Sequence, residues 1–163
     1  LTKVSDYTKQ PETQGGLVKT LDFKIYLGIL TEKYNGSHQE DLRRTAAVAI
    51  DMVVVNLYPF RETIAREGVT VEEARANIDI GGPCMVRASA KNYLRVASVV
   101  DPGDYAMILG RLKELGGRLD AATRFSLARK SFEHTAQYDR AIASFLAEAS
   151  MDSVKSCYNF KDE

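Results

Sequence analysis

The chain has 163 residues, 45% of them hydrophobic, and its 22 Lys plus Arg balance 22 Asp plus Glu. That length buries a real core in one domain, and a formal charge of zero with no dominant basic patch argues against nucleic acid as the main partner. No apolar run approaches a membrane span, no secretory signal opens the chain, and Cys84 and Cys157 lack CxxC or histidine spacing, so the reading is no membrane, no metal and no disulfide framework.

Taken in order, Leu1–Ser5 leads into a loop rich in Thr, Gln, Pro and Gly. A doubly wound domain normally starts with a strand–loop–helix unit whose glycine turn holds phosphate; the fold is therefore expected to lack its first such unit. Gly15-Gly16 precede Val18-Lys19-Thr20, a glycine turn with an amine and a hydroxyl that falls short of a P-loop. Ile25–Leu30, Ile50–Leu57 and Val96–Val100 are continuous apolar runs, as in buried parallel strands. Between them, Ser37 with Glu40 reads as a capping box opening a helix through Leu42 and Arg43, and Thr70 with Glu73 as a second one, opening a helix to about Asn77.

Asn56 and Tyr58 follow the second apolar run, at the carboxyl edge where open sheets bind ligands. Asp79-Ile80-Gly81-Gly82-Pro83 is a glycine turn with a proline suited to start a helix, expected from Pro83 to about Asn92. Backbone amides at such a start suit an anion or a developing oxyanion. Lys91 lies near the far end of that helix. Each feature also has a plain structural reading: Asp79 as a cap, Lys91 as a dipole partner, Tyr58 as a core residue. Asp101–Asp104 caps a helix through Leu115 that Gly116-Gly117 ends, and Asp120 to about Ala147 is helical, with a break near His134–Gln137. After Ser150 periodicity is lost, which divides the chain into a domain over 1–150 and a tail over 151–163. Strands alternating with helices predict α/β architecture, a doubly wound, mainly parallel sheet.

The segments VSDYT, VKTL, VVVNLYPF, GVTVEEA, NIDIGG, RASAKN and HTAQYD together resemble one family, the IMP cyclohydrolase domain of the bifunctional purine-biosynthesis enzyme that also carries AICAR transformylase. The resemblance runs from about Val4 to about Leu146. It implies a methylglyoxal-synthase-like fold and a cytoplasmic enzyme that closes the purine ring of formyl-AICAR to IMP, with no cofactor or metal. By resemblance Lys19, Tyr58, Asp79 and Lys91 take catalytic positions, and Val18, Lys19, Thr20, Asn56, Asp79, Ile80, Gly81 and Gly82 contact the nucleotide. The chemistry asks for such groups: a lysine to assist proton removal, Asp79 to orient Lys91 and relay a proton, Tyr58 and the amides near Ile80 and Gly81 to hold an oxyanion. HTAQYD reads as helix packing and capping.

The departures cluster upstream. The family usually has GGRVKTLHP and then a strand with His and a small residue; here Leu17, Asp22, Phe23, Tyr26 and Leu27 stand at the corresponding Arg, His, Pro, His and Gly or Ala positions. A lost arginine–phosphate contact is worth roughly 1.5–3 kcal/mol, and Asp22 would repel an anion if it pointed inward. Two other readings follow: a nucleotide-binding relative that no longer turns over, and a methylglyoxal-synthase-like module for another small phosphorylated ligand. A sheet edge left open by a missing first strand predicts a homodimer.

Overall fold

The computed structural model describes residues 1–10 and 20–158. Two short strands, β1 (Met52–Val54) and β2 (Ala97–Val99), pair in parallel with Met52 opposite Ala97 and Val54 opposite Val99. The ladder continues at both ends, where Ala97 N donates to Asp51 O and Val55 N to Val99 O, each at 3.0 Å. Side chains alternate across the strands. Val53, Val55, Val96 and Val100 share a core with Ile25, Ile29 and Val86, while Met52, Ala97 and Val99 pack with Ile108 and Leu127. Both faces of a small parallel sheet are thus covered by helices, in the expected α/β class.

The run Ile25–Leu30 is not a strand. It lies in helix α2 (Phe23–Leu30), after a short α1 (Val4–Thr8). Asp22 caps α2 by accepting from Lys24 N at 2.8 Å. A short apolar run has the same pattern whether it is a buried strand or a helix buried on most sides, and α2 buries Ile25, Gly28 and Ile29. Gly28 is required there, because the Val48 carbonyl occupies the place of a β-carbon. The last carbonyls of α2 are taken by side chains: Asn92 donates to Ile29 O at 2.7 Å, and Arg95 to Gly28 O at 2.6 Å and Thr31 O at 2.9 Å.

Helix α3 (Gly36–Thr45) is capped by Asn35, not by a Ser37–Glu40 box: Asn35 Oδ1 accepts from Ser37 N and His38 N, and Glu40 pairs with Arg43. After α4 (Phe60–Ile64), the second capping box does form at α5 (Val71–Ala76), with Thr70 N donating to Glu73 at 2.9 Å and Glu73 N to Thr70 at 3.2 Å. Helix α6 (Gly81–Lys91) carries the glycine turn at its head. A 3₁₀ turn at Pro102–Asp104 leads into α7 (Tyr105–Glu114), ended by Gly116 and Gly117 with φ of +60° and +83°.

Helix α8 (Ala121–Glu148) runs unbroken through His134–Gln137, correcting the expected break, because Ser131, Thr135 and Tyr138 turn inward as buried polar residues. Ser131 and Ser89 both donate to the Ser98 hydroxyl at 2.9 Å, tying α8 and α6 to β2. Beyond Ser150 the chain forms another short helix, α9 (Met151–Cys157), packed on α5, where the sequence lacks clear periodicity. Among the described residues no helix is long and apolar enough to cross a membrane.

Candidate functional site

The strands end at a common edge, and the chain leaving β1 supplies Asn56, Leu57 and Tyr58 there before α4 begins. A cleft of about 270 Å³ opens at that edge, lined by Asn56, Tyr58, Arg61, Val100, His134 and Tyr138. Tyr58 is 51% exposed, so its phenol is available to a ligand and is not a core group.

The glycine turn borders this cleft through two connections. Tyr138, buried in α8, accepts from Asp79 N at 2.9 Å and donates to Asn77 O at 3.1 Å, which fixes the loop ahead of α6. Leu57, between Asn56 and Tyr58, packs against Gly82. The Asp79 carboxylate then caps α6, with Gly82 N donating to its Oδ1 at 2.8 Å. The cap and the ligand-site readings therefore describe the same atoms. One carboxylate oxygen is held, and Pro83 brings no amide. The amides of Ile80 and Gly81 remain at the positive end of the helix dipole. Thr20 sets its hydroxyl against Gly81, at the place a β-carbon would fill.

Thr20, Asn56, Tyr58, Asp79, Ile80, Gly81 and Gly82 thus belong to one neighbourhood. Lys91 does not join it. It is exposed on the last turn of α6, and a rise of 1.5 Å per residue puts it about 15 Å along the axis from Gly81. It lines a different groove, between α6 and α8. The expected orientation of Lys91 by Asp79 has no basis within one chain, because the spacing that separates them is the whole length of a helix. Val18 and Lys19, with Leu17, lie outside the described residues.

Other substituted positions have local roles. Asp22 is buried and its carboxylate is engaged by Lys24 N and by the Gln10 amide at 3.3 Å, so it caps a helix. Burial, and secondarily the neighbouring Cys84 thiol, pushes the Tyr26 phenol up to about 12.

The sequence reading of HTAQYD as packing and capping holds for Thr135 and for the buried Tyr138 but misses that His134 and Tyr138 both line the cleft. The spacing of His134 and Tyr138, four residues on one helix face, carried that signal. Burial, reinforced by Arg61 and Lys130 and opposed by Asp101, holds the His134 imidazole below its ordinary value, which favours the neutral ring. Among the described residues no three or more His, Cys, Asp or Glu side chains stand close enough to hold a metal ion.

Comparison with known proteins covers almost the whole chain. The family model of the MGS-like domain matches residues 1–84, and that of the AICARFT/IMPCHase bienzyme matches residues 89–162. The chain is 50% identical over 157 residues to the bifunctional purine biosynthesis protein PurH of Synechococcus sp. (strain CC9605), covering 96% of the chain and 30% of that protein. To PurH of Acidithiobacillus ferrooxidans it is 47% identical over 156 residues, with the same two coverages, 96% and 30%. The chain therefore spans 30% of the length of these curated relatives. The crystal structure of ForH is similar with a TM-score of 0.79 and 31% identity, over 89% of this chain and 74% of that one.

Proposed function

The chain belongs to the MGS-like domain family, its second half matching the AICARFT/IMPCHase bienzyme, and from that premise we propose that it is an IMP cyclohydrolase closing the purine ring of formyl-AICAR. The observation that carries the proposal is the glycine turn: one carboxylate oxygen of Asp79 fixed by Gly82 N at 2.8 Å, two amides ahead of Pro83, and Tyr58 exposed at the adjoining cleft.

In the reaction the carboxamide nitrogen attacks the formyl carbon and loses one proton as the C–N bond forms. The formyl oxygen becomes an oxyanion and is protonated to a carbinol. The formamido nitrogen then gives up its proton as the C=N bond forms, and the oxygen leaves as water. The Ile80 and Gly81 amides and the Tyr58 phenol are the donors proposed for the oxyanion, where pre-aimed dipoles act without reorganisation. Asp79, with Oδ2 left over from the cap, is the proposed acceptor of the carboxamide proton and its carrier to the departing oxygen. Thr20 and Asn56 are proposed nucleotide contacts, and Val18 and Lys19 come to that role by resemblance. No proton is assigned to Lys91.

Purified protein given formyl-AICAR is expected to form IMP, followed by ultraviolet absorbance. Asp79→Ala should lower the rate at least ~10²-fold, the scale of a lost general acid–base group. Absence of turnover in the unaltered chain, with saturable IMP binding, would leave a nucleotide-binding module and overturn the catalytic proposal.

A further inference from the structure

At the far end of α6 from the glycine turn, α6 and α8 part to leave a groove of about 540 Å³. Alanines form its floor: Ala88 and Ala90 from α6 and Ala128 from α8, the last two buried. Small side chains at a helix crossing let the backbones approach, while longer neighbours stand clear as walls.

Two kinds of wall result. Phe125 and Phe132 flank Ala128 on the same face of α8, one turn to each side, and remain 48% and 40% exposed. Tyr93 meets Phe125 edge-on at 5.1 Å between ring centroids. Arg87 and Arg129 add guanidinium groups beside these rings, and Lys91 an ammonium. The ion pairs formed among the described residues all lie elsewhere, so no described carboxylate comes within 4.0 Å of these three cations. Arg87 instead lies over the Phe132 ring, 5.5 Å from its centroid.

Half-wetted rings and uncompensated cations have different needs, and one kind of ligand meets both: a flat aromatic group bearing an anion. We propose that this groove binds a nucleoside monophosphate, its base against Phe125 and Phe132 and its phosphate on Arg129 and Arg87. Aromatic faces accept any base by stacking, and the guanidinium fork matches a phosphate. The volume falls within the span of small-molecule sites. Three cations clustered beside the rings suit the single phosphate of one nucleotide. This site is separate from the cleft at Tyr58 and does not depend on the ring-closure proposal.

The test is a titration of ¹⁵N-labelled protein with adenosine monophosphate, followed by amide shifts. Saturable shifts are expected at residues 87–93 and 125–132. Arg129→Glu and Phe125→Ala, both at exposed positions, should each weaken binding at least tenfold with helix content by circular dichroism unchanged. Asp79→Ala should leave these shifts intact, so that failure of ring closure and failure of this site are read separately. Shifts confined to residues 56–58 and 79–82 would overturn the proposal. So would ribose 5-phosphate binding as tightly as the nucleotide, which would remove the base from recognition. Oligothymidylate binding more than tenfold tighter than the mononucleotide would show a strand surface and overturn it equally.

Discussion

Gly82 shows how one missing side chain shapes the candidate site. Its amide holds Asp79 Oδ1, and a β-carbon there would run into the other carboxylate oxygen and come within 2.7 Å of Leu57 Cδ2. Leu57 is anchored between Asn56 and Tyr58, so neither obstacle can retreat without shifting the cleft. Gly82→Ala is therefore expected to cost about 2 kcal/mol, in the range of overpacking a closed site, and to abolish ring closure along with the cap. Gly81→Ala meets closely only the Thr20 hydroxyl, one side-chain atom and not a carboxylate held in a helix cap, and should cost clearly less. Calorimetric melting of the two variants checks this. Equal destabilisation would mean that the Asp79–Leu57 pocket is not what requires glycine.

At the scale of elements, local chemistry was readable in part, the Ser37–Glu40 box giving way to an Asn35 cap, and tertiary burial was not. The capping box at Thr70–Glu73 and the stop at Gly116-Gly117 involve neighbours in the chain, and both appear as expected. Helix α2 was hidden because its continuous apolar run comes from burial against α6 and β1, a fact of packing that the sequence pattern shares with a strand. The same holds for α8, where a break was expected near His134–Gln137 but Thr135 turns its hydroxyl back onto Phe132 O of the same helix and Tyr138 bonds Asp79 N and Asn77 O on another segment. At the candidate site, Tyr58, Asp79 and the glycines sit at element ends as their place in the sequence suggested, but each alone also had a structural reading, and it was the family resemblance that joined them. Lys91 was not separable from them until α6 had a length. The half-buried setting of His134 in α8 also has a consequence for pH. Its folded value lies below the ordinary 6.5, so the unfolded chain binds the proton more readily, and stability rises with pH across that interval. This contribution is present above pH 6.5 and is lost as pH falls through the folded value. The melting temperature should drop between pH 7 and pH 5, and His134→Gln should flatten that drop. The depressed carboxylates Asp101 and Asp120 start from 3.8 and act at lower pH, outside this window. An unchanged slope in the variant would remove His134 as the cause.

Across the whole molecule, one guanidinium joins the layers beside the apolar core. Arg95, its side chain only 9% exposed, leads into β2 and donates to Gly28 O, Ile29 O and Thr31 O at the end of α2, and to Ile50 O ahead of β1. Its one carboxylate partner among the described residues, Asp51 at 3.2 Å, is 70% exposed, so carbonyl dipoles supply most of the compensation for the buried charge. Asn92 covers Ile29 O and Thr31 O independently, which leaves Gly28 O and Ile50 O resting on the arginine, although Ile50 N still donates to the former at 2.9 Å. Replacing Arg95 by Met keeps the stem and removes the donors. The expected cost is about 3 kcal/mol, set by the carbonyls left dry. Arg95→Lys should recover little of it, because one ammonium cannot reproduce a planar fork that spans two elements. Urea unfolding measures both. The Met variant should also loosen α2, whose head begins three residues after Thr20, so nucleotide affinity at the glycine turn should fall with stability. If Lys restores full stability, or Met costs less than about 1 kcal/mol, the layers are held by their apolar cores and the guanidinium is incidental.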